Sequence, residues 1–471
     1  MFVVLMRVIG VCGIFLGLPA LAGEIATDSN ALVLTLTRVI GACCETAREP
    51  VLPVPVDPGF GEDPFVLSVQ AAVQKNPRVL GSAAQLTAAQ ERWTQSWSAL
   101  RPTLDLNASR SHNRTEWTGG QLSTDPGSVG LSLTQVVFNQ KALIGLRQTK
   151  PYVAAFEFDL QAVIQGVFLE TVAAIVEVMQ AKEVFRVAKN NRDLLKHHLE
   201  ATRSRHEVGV ISRTDVSLAE SRLASSEANL VRAENALAVG RSRFQELTGI
   251  PVPEGLRLPD FRTGILDGAL PDLQNQAESR PDLTSARLRL KVAEEEIALK
   301  HAAHLPSVSL SARATRSWGE EAIASVDSLN RYGVDLGLTV PIYAGGLTDS
   351  QVVEARARKE AQSAEVDRLK RLAMREVESA FLDLQSAHAA DMALKTALSA
   401  ANEALDGVER EFSVGTRSAL DLLDAQNEAF SVQTELAKSR FAIALSQFRL
   451  LSAMGMLTLD ALKIAVLQDM E

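Results

Sequence analysis

A chain of 471 residues that is 46% apolar but only 5% aromatic, with abundant alanine, has the composition of a folded protein whose helices pack closely along their length. Its net charge of −9, carried by interspersed signs without a basic patch, argues against a nucleic-acid partner. Three cysteines, Cys12 and the adjacent Cys43 and Cys44, offer neither a disulfide framework nor a metal spacing.

The chain opens as an export signal. Arg7 precedes an apolar run from Val8 to Leu18, and Ala20-Leu21-Ala22 has the small-x-small form that signal peptidase cuts, which assigns residues 1–22 to a removed leader. The run falls short of the ~20 residues of a spanning helix, which makes a membrane anchor the lesser alternative. Ile40-Gly41-Ala42-Cys43 resembles a lipoprotein cleavage site, but Arg38 interrupts the apolar segment before it, so acylation of Cys43 is also a lesser reading. Residues 23–63, with prolines at 50, 53, 55 and 58, read as an irregular leader. No later apolar run is long enough to cross a bilayer as a helix, so entry into a membrane requires a closed β-barrel.

The rest of the chain is a duplication. Val208-Gly209-Val210-Ile211-Ser212-Arg213-Thr214-Asp215 returns 206 residues later as Val414-Gly415-Thr416-Arg417-Ser418-Ala419-Leu420-Asp421, and in each copy a second glycine, Gly249 or Gly455, closes the returning helix. The first repeat is placed at 64–250 and the second at 271–457. The proline- and glycine-containing segment 251–270 is expected to form an irregular belt near mid-length, with a similar part for the tail 458–471.

Each repeat predicts a helix begun by proline, at Asn76-Pro77 and Arg280-Pro281, and ended at Pro102 or Pro306. There the apolar period switches to two: Leu104, Leu106 and Ala108 alternate with Asp105, Asn107 and Ser109, and Val308, Leu310 and Ala312 with Ser309, Ser311 and Arg313. A polar, glycine-containing loop comes next, then a second alternating run through Val129, Leu131 and Leu133, matched by Val334, Leu336 and Leu338. These are four strands in two hairpins. After them come very long helices, from about Gln140 to Glu207 and from about Leu347 to Phe412, each ~100 Å long at 1.5 Å per residue. The second carries a coiled-coil seam of Val366, Leu369, Ala373, Val377, Ala380, Leu384 and Ala387. Its partner path is assembled from the helix before the strands and the helix after the glycine turn, stacked end to end.

One face of the strands is aliphatic and the other small or polar, and each run has about the ~9–11 residues of a tilted spanning strand. Half-buried strands of a soluble sheet are the alternative. Four strands cannot close a spanning barrel, but three copies supply twelve and leave no open edge.

This order of elements, given twice behind a signal peptide, resembles the TolC-related outer-membrane channel-tunnel proteins over about residues 64–459. The stretch Val414 to Gln426 looks like their type I secretion branch more than the lipid-anchored drug-efflux branch. The resemblance implies an α+β membrane protein. Duplicated helix–β-hairpin–long helix repeats would form a trimeric 12-stranded outer-membrane β-barrel, continued by a long α-helical periplasmic tunnel. It implies as partners the other copies of a homotrimer, outer-membrane lipid, a periplasmic adaptor, and an inner-membrane ABC transporter or a proton-driven pump. The implied function is the exit channel of a tripartite export machine, secreting a protein such as a toxin or protease. Multidrug efflux is the alternative, and a soluble periplasmic coiled-coil scaffold the rival of another class.

The candidate site lies at the glycine turns. Asp421 and Asp424, three residues apart, share one helix face; a solvated surface pair, or help at a helix start, is the plainer reading. If that face points to a threefold axis, the carboxylates form a constriction ring and repel one another. The resemblance further implies that Arg417, Thr214 and Asp215 hold neighbouring hairpins together in a closed state, and that Val208, Gly209, Val414 and Gly415 face the adaptor. Phe412 stands where the best-known members place a tyrosine and cannot supply a phenolic hydrogen bond; Arg213 is an extra cation nearby. His112, His206, His301, His304 and His388 fall at no metal spacing, and no glycine loop is built for phosphate. The expectation is therefore no catalysis and no cofactor.

Overall fold

The computed structural model describes residues 63–259, 268–319 and 328–458. The expected signal peptide, the leader to 62 with Cys43, residues 260–267 and the tail beyond 458 lie outside them.

The first repeat opens with α1 (Pro64–Lys75), which the pattern of prolines alone did not separate from the helix after it. Asn76 both ends α1 and caps α2 (Pro77–Ser98), accepting from the Arg78 N–H at 2.9 Å. Its extended ψ of 125° is the conformation that a succeeding proline imposes. β1 (Thr103–Arg110) and β4 (Gly127–Asn139) pair antiparallel. Between them the loop is itself ordered as a second ladder, β2 (Asn113–Trp117) with β3 (Gly120–Thr124). The expected plain loop is thus corrected to an extension of the hairpin, joined at its base by the Ser111 N–H donating to the Pro126 carbonyl and by His112 with Asp125.

α3 (Gln140–Glu207) then runs for 68 residues from its cap at Asn139, and α4 (Arg213–Thr248) returns along it. The second repeat keeps the same order: α5 (Leu270–Gln276), a 3-10 turn, α6 (Pro281–His301), β5 (Ser307–Trp318), β6 (Ser328–Thr339), α7 (Leu347–Ser413) of 67 residues, and α8 (Ala419–Ala453). The seam on α7 is formed, with Ala373, Val377, Ala380 and Leu384 buried.

Four of the strands make one sheet in the order β1-β4-β5-β6, so both of its outer strands present unpaired edges. The register sets whole rungs of like chemistry side by side. Leu104, Leu133, Ala312 and Val334 share one rung and one face, and Leu106, Leu131, Ala314 and Tyr332 the next. Asp105, Ser132, Arg313 and Gly333 line the opposite face, beside Asn107, Gly130, Thr315 and Arg331. Tyr332, Val334, Leu336 and Leu338 are all at least 65% exposed, an arrangement suited to lipid and not to water.

At mid-length the helix ends converge on one core. Phe65 and Val69 of α1, Phe168, Val172 and Ile175 of α3, Phe244 of α4, Leu273 of α5, Val377 of α7, and Phe448 and Met454 at the end of α8 are buried together. Val252, Leu256 and Leu258 of the inter-repeat segment pack against them. The end of α1 meets the end of α4, where Lys75 lies against Gly249. In the second repeat Arg280 makes the corresponding junction, donating to the Ala453 carbonyl at 3.2 Å while paired with Asp282 and Glu376. One sequence expectation fails here: α3 does contain a stretch long and apolar enough to cross a membrane by composition. Its Val167, Phe168, Val172, Ile175 and Val176 are buried in protein, which satisfies the same hydrophobic demand.

Candidate functional site at the hairpin tips

Both helical hairpins turn by one device. α3 ends at Val208, and Gly209, at φ +76°, takes the left-handed position. The Gly209 N–H donates to the His206 carbonyl and the Val210 N–H to the Arg205 carbonyl, the paired bonds of a Schellman ending. In the second hairpin Gly415, at φ +83°, donates to Phe412 and Thr416 to Glu411. Positive φ without a Cβ penalty is why glycine stands at both positions. Ser212 and Ser418 then start the return helices with complete capping boxes, Asp215 and Asp421 occupying the third position of each. Val208, Val210 and Val414 are left at least 70% exposed at the outermost point.

Within the chain, the sequence-derived candidates find the following partners. Asp421 turns its carboxylate back on Ser418, accepting from the hydroxyl at 2.7 Å and the backbone N–H at 3.0 Å. Those bonds, and then the charge of Arg417, hold its carboxyl below the usual aspartate range. Asp215 is engaged in the same way with Ser212. Arg417 does not reach another hairpin within the chain; its Nε donates to Glu411 at 2.7 Å, in its own hairpin. Thr214 is exposed and makes no side-chain hydrogen bond within the chain among the described residues.

The contacts that do bridge the two hairpins come from other residues. Arg222 of α4 donates to Asp424 of α8 at 2.6 Å, so the structure brings Asp424 to a cation and not to Asp421. Phe412, without a phenolic hydroxyl, is contacted through its ring: the Arg205 guanidinium lies 5.4 Å from its centroid and the His198 ring 6.2 Å. Burial, aided by the nearby Arg205 charge, pushes His198 below its ordinary value, and its Nε2 has no partner in the chain. Sequence reasoning missed Arg222, Arg205 and Glu411. A signal for the first existed: Arg222 lies opposite Glu428 in the repeat alignment, a charge reversal within a duplicated helix.

Of the remaining histidines, His301 and His304 pack edge to face with ring centroids 5.6 Å apart. His206 closes its own turn on the Ile211 carbonyl at 2.9 Å, His304 lies 3.5 Å from Asp349, and His388 makes no hydrogen bond among the described residues. Among the described residues no group of three or more His, Cys, Asp or Glu is placed to hold a metal ion.

Comparison with known proteins gives one answer. The family model described as outer membrane efflux protein matches residues 68–249 and 273–456. The chain is similar to outer membrane protein TolC of Escherichia coli, 28% identical over 400 residues that cover 82% of this chain and 81% of the relative. It is 29% identical to outer membrane efflux protein BepC of Brucella suis over 386 residues, 79% of this chain and 80% of that one. In structure it matches CusC, described for its transmembrane channel formation, with a TM-score of 0.75 at 18% identity, covering 87% of this chain and 98% of the other. A duplicated helical hairpin with an open-edged, lipid-facing sheet, matched along both repeats, leaves one assignment: the chain belongs to the outer membrane efflux protein family.

Proposed function

We propose that three copies of this outer-membrane protein form the exit channel of a tripartite export machine, and that its cargo is a polypeptide leaving by type I secretion. The observation that carries the channel reading is the sheet: four strands, two open edges and one apolar face. Joining β6 of one protomer to β1 of the next closes a twelve-stranded barrel and removes every edge. The small and polar rungs then line a watery lumen, and the helices continue it into the periplasm. The exposed Val208, Gly209, Val414 and Gly415 suit docking of a periplasmic adaptor, which connects the channel to an inner-membrane ABC transporter. Asp421 and Asp424 stand at the narrow end, with Arg417, Thr214 and Asp215 at the seams between protomers. Residues 1–22 serve as the cleaved leader.

The tip sequence Val414 to Gln426, similar to the type I secretion branch, favours a polypeptide cargo. The likeness to BepC, named an efflux protein, supports the second reading, small-molecule efflux with a proton-driven pump. Deleting the gene and assaying both culture-supernatant proteins and drug susceptibility separates them. Loss of a secreted polypeptide with unchanged drug tolerance is the expected result; the reverse pattern selects the efflux reading. A purified protein that is a monodisperse monomer in detergent, with no conductance in bilayers, would overturn both.

A further inference from the structure

The lipid-facing side of the sheet does not end in uncharged residues. Along β5 the same face runs Val308, Leu310, Ala312, Ala314, Arg316 and Trp318, and along β1 it runs Leu104, Leu106, Ala108 and Arg110. Register places Arg316 beside Val129 and Asn330, and Arg110 beside Gly127, which also adjoins Trp318. Trp318 lies over Gly127 so closely that a Cβ there would sit 2.5 Å from its ring. Two arginines and a tryptophan thus flank Gly127 and Val129 of β4, with strands only about 4.8 Å apart.

Their height matters. Val308 marks the base of the apolar band, next to the helices, and Arg316 lies eight residues along the strand. At about 3.4 Å per residue and about 40° of tilt, that is roughly 20 Å up, with Trp318 near about 25 Å, the height of a barrel's apolar belt. Trp318 therefore sits at the level of an interfacial aromatic girdle, and the two guanidiniums reach upward from just below and beside it. The helices occupy the opposite end of the sheet, so this margin is at the outer leaflet. Both arginines are exposed, and among the described residues neither has a carboxylate partner.

An unpaired guanidinium at a lipid margin is stabilised by a phosphate oxygen, which it binds in a bidentate fork. From this we infer that Arg110 and Arg316 form a binding site for a phosphate-bearing lipid headgroup of the outer leaflet, its acyl chains lying down the Leu131 and Leu133 rungs and its polar part beside Trp318. The inference rests on the outer-membrane placement of the sheet and on no feature of the helical tips.

The test is native mass spectrometry of the purified full-length protein in detergent, titrated with bis-phosphorylated lipid A and, separately, with its dephosphorylated form. The unaltered protein is expected to retain the phosphorylated lipid about tenfold better than R110Q/R316Q, and the two proteins to bind the dephosphorylated lipid alike. R313Q/R331Q removes the same charge from the lumen face and should bind as the unaltered protein does. Equal retention by R110Q/R316Q, or equal loss in R313Q/R331Q, overturns the site. Millimolar inorganic phosphate should not displace the lipid; complete displacement marks an anion site without lipid preference and also overturns it. Should the double variant fail to assemble, R110Q and R316Q singly carry the test, each expected to retain about threefold less.

Discussion

Gly415 and Gly455 have nearly the same backbone, φ +83° and +75°, yet their surroundings differ. Nothing lies within 4 Å of a Cβ built on Gly415, whereas one on Gly455 would meet Arg280 Cγ at 2.9 Å and its Cα at 3.1 Å. Gly415→Val therefore adds only left-handed strain, about 1–2 kcal/mol, in a solvent-facing turn. Gly455→Val adds strain and overlap in the mid-length belt, about 2–4 kcal/mol together. Thermal melting of the detergent-purified protein should separate the two, with Gly455→Val melting lower and Gly415→Val losing export first; the opposite order would mean the tip glycine serves folding. A second residue-scale expectation concerns Asp424. Because Arg222 neutralises it at 2.6 Å, Arg222→Ala should expose carboxylate and raise cation preference and block by multivalent cations. Asp421→Ala/Asp424→Ala should lower both. Single-channel recordings unmoved by either change would remove the aspartates from the lumen.

At the scale of the element, the two return helices begin with the same box, Ser212 with Asp215 and Ser418 with Asp421. Each serine cap contributes about 1 kcal/mol of local helix stability. The Asp421 carboxyl is held below its usual value by Ser418 and then Arg417. Its contribution is therefore complete above the ordinary aspartate value near about 4 and is lost only as pH falls through the lowered folded value. Mild acidification from about pH 7 to about pH 5 should leave the start of α8 intact, with fraying only below about pH 4. Amide exchange across Ala419 to Leu423, referenced to a Ser418→Ala chain that lacks the cap at every pH, checks this. Fraying already at about pH 5 to 6 would point to a histidine, with His198 the candidate because its Nε2 is buried and unpartnered.

Over the whole molecule, the duplication makes a trimer a ring of six similar hairpins with two kinds of joint. Inside a protomer, Arg222 of the first repeat meets Asp424 of the second. The repeat offset of 206 maps Asp424 onto Leu218 and Arg222 onto Glu428, so in the proposed trimer, if the joint between protomers follows the same pseudo-symmetry, it would set leucine opposite glutamate and lack the ion pair. Leu218→Arg should supply the missing cation and make the joints alike, while Leu218→Gln, which removes the half-buried apolar side chain without adding charge, controls for lost packing. The expected outcome is a channel with fewer openings in bilayer recordings for Leu218→Arg than for Leu218→Gln, and a heat-resistant trimer in both. Equally frequent openings would show that the joints between protomers do not obey the pseudo-symmetry of the repeats.

The architecture was legible in the sequence wherever a local rule governed it. The switch of apolar period at Pro102 and Pro306, the glycines at 209 and 415, the prolines that start α2 and α6, and the seam through Val377 are each set by backbone sterics or by side-chain spacing within one element. Those survive translation into structure almost unchanged, and their repetition made the duplication visible without any coordinates. What the tertiary structure alone decided were choices among partners. Asp421 and Asp424 look equivalent on a helical wheel, but one is taken up by a cap and the other by Arg222, 202 positions away. Arg417 prefers its own Glu411, the polar loop after β1 pairs with itself as β2 and β3, and the apolar stretch of α3 is covered by protein instead of lipid. Each outcome depends on which surfaces meet across elements, and the strength of an ion pair or a buried contact is fixed by that meeting, which spacing along one chain does not encode.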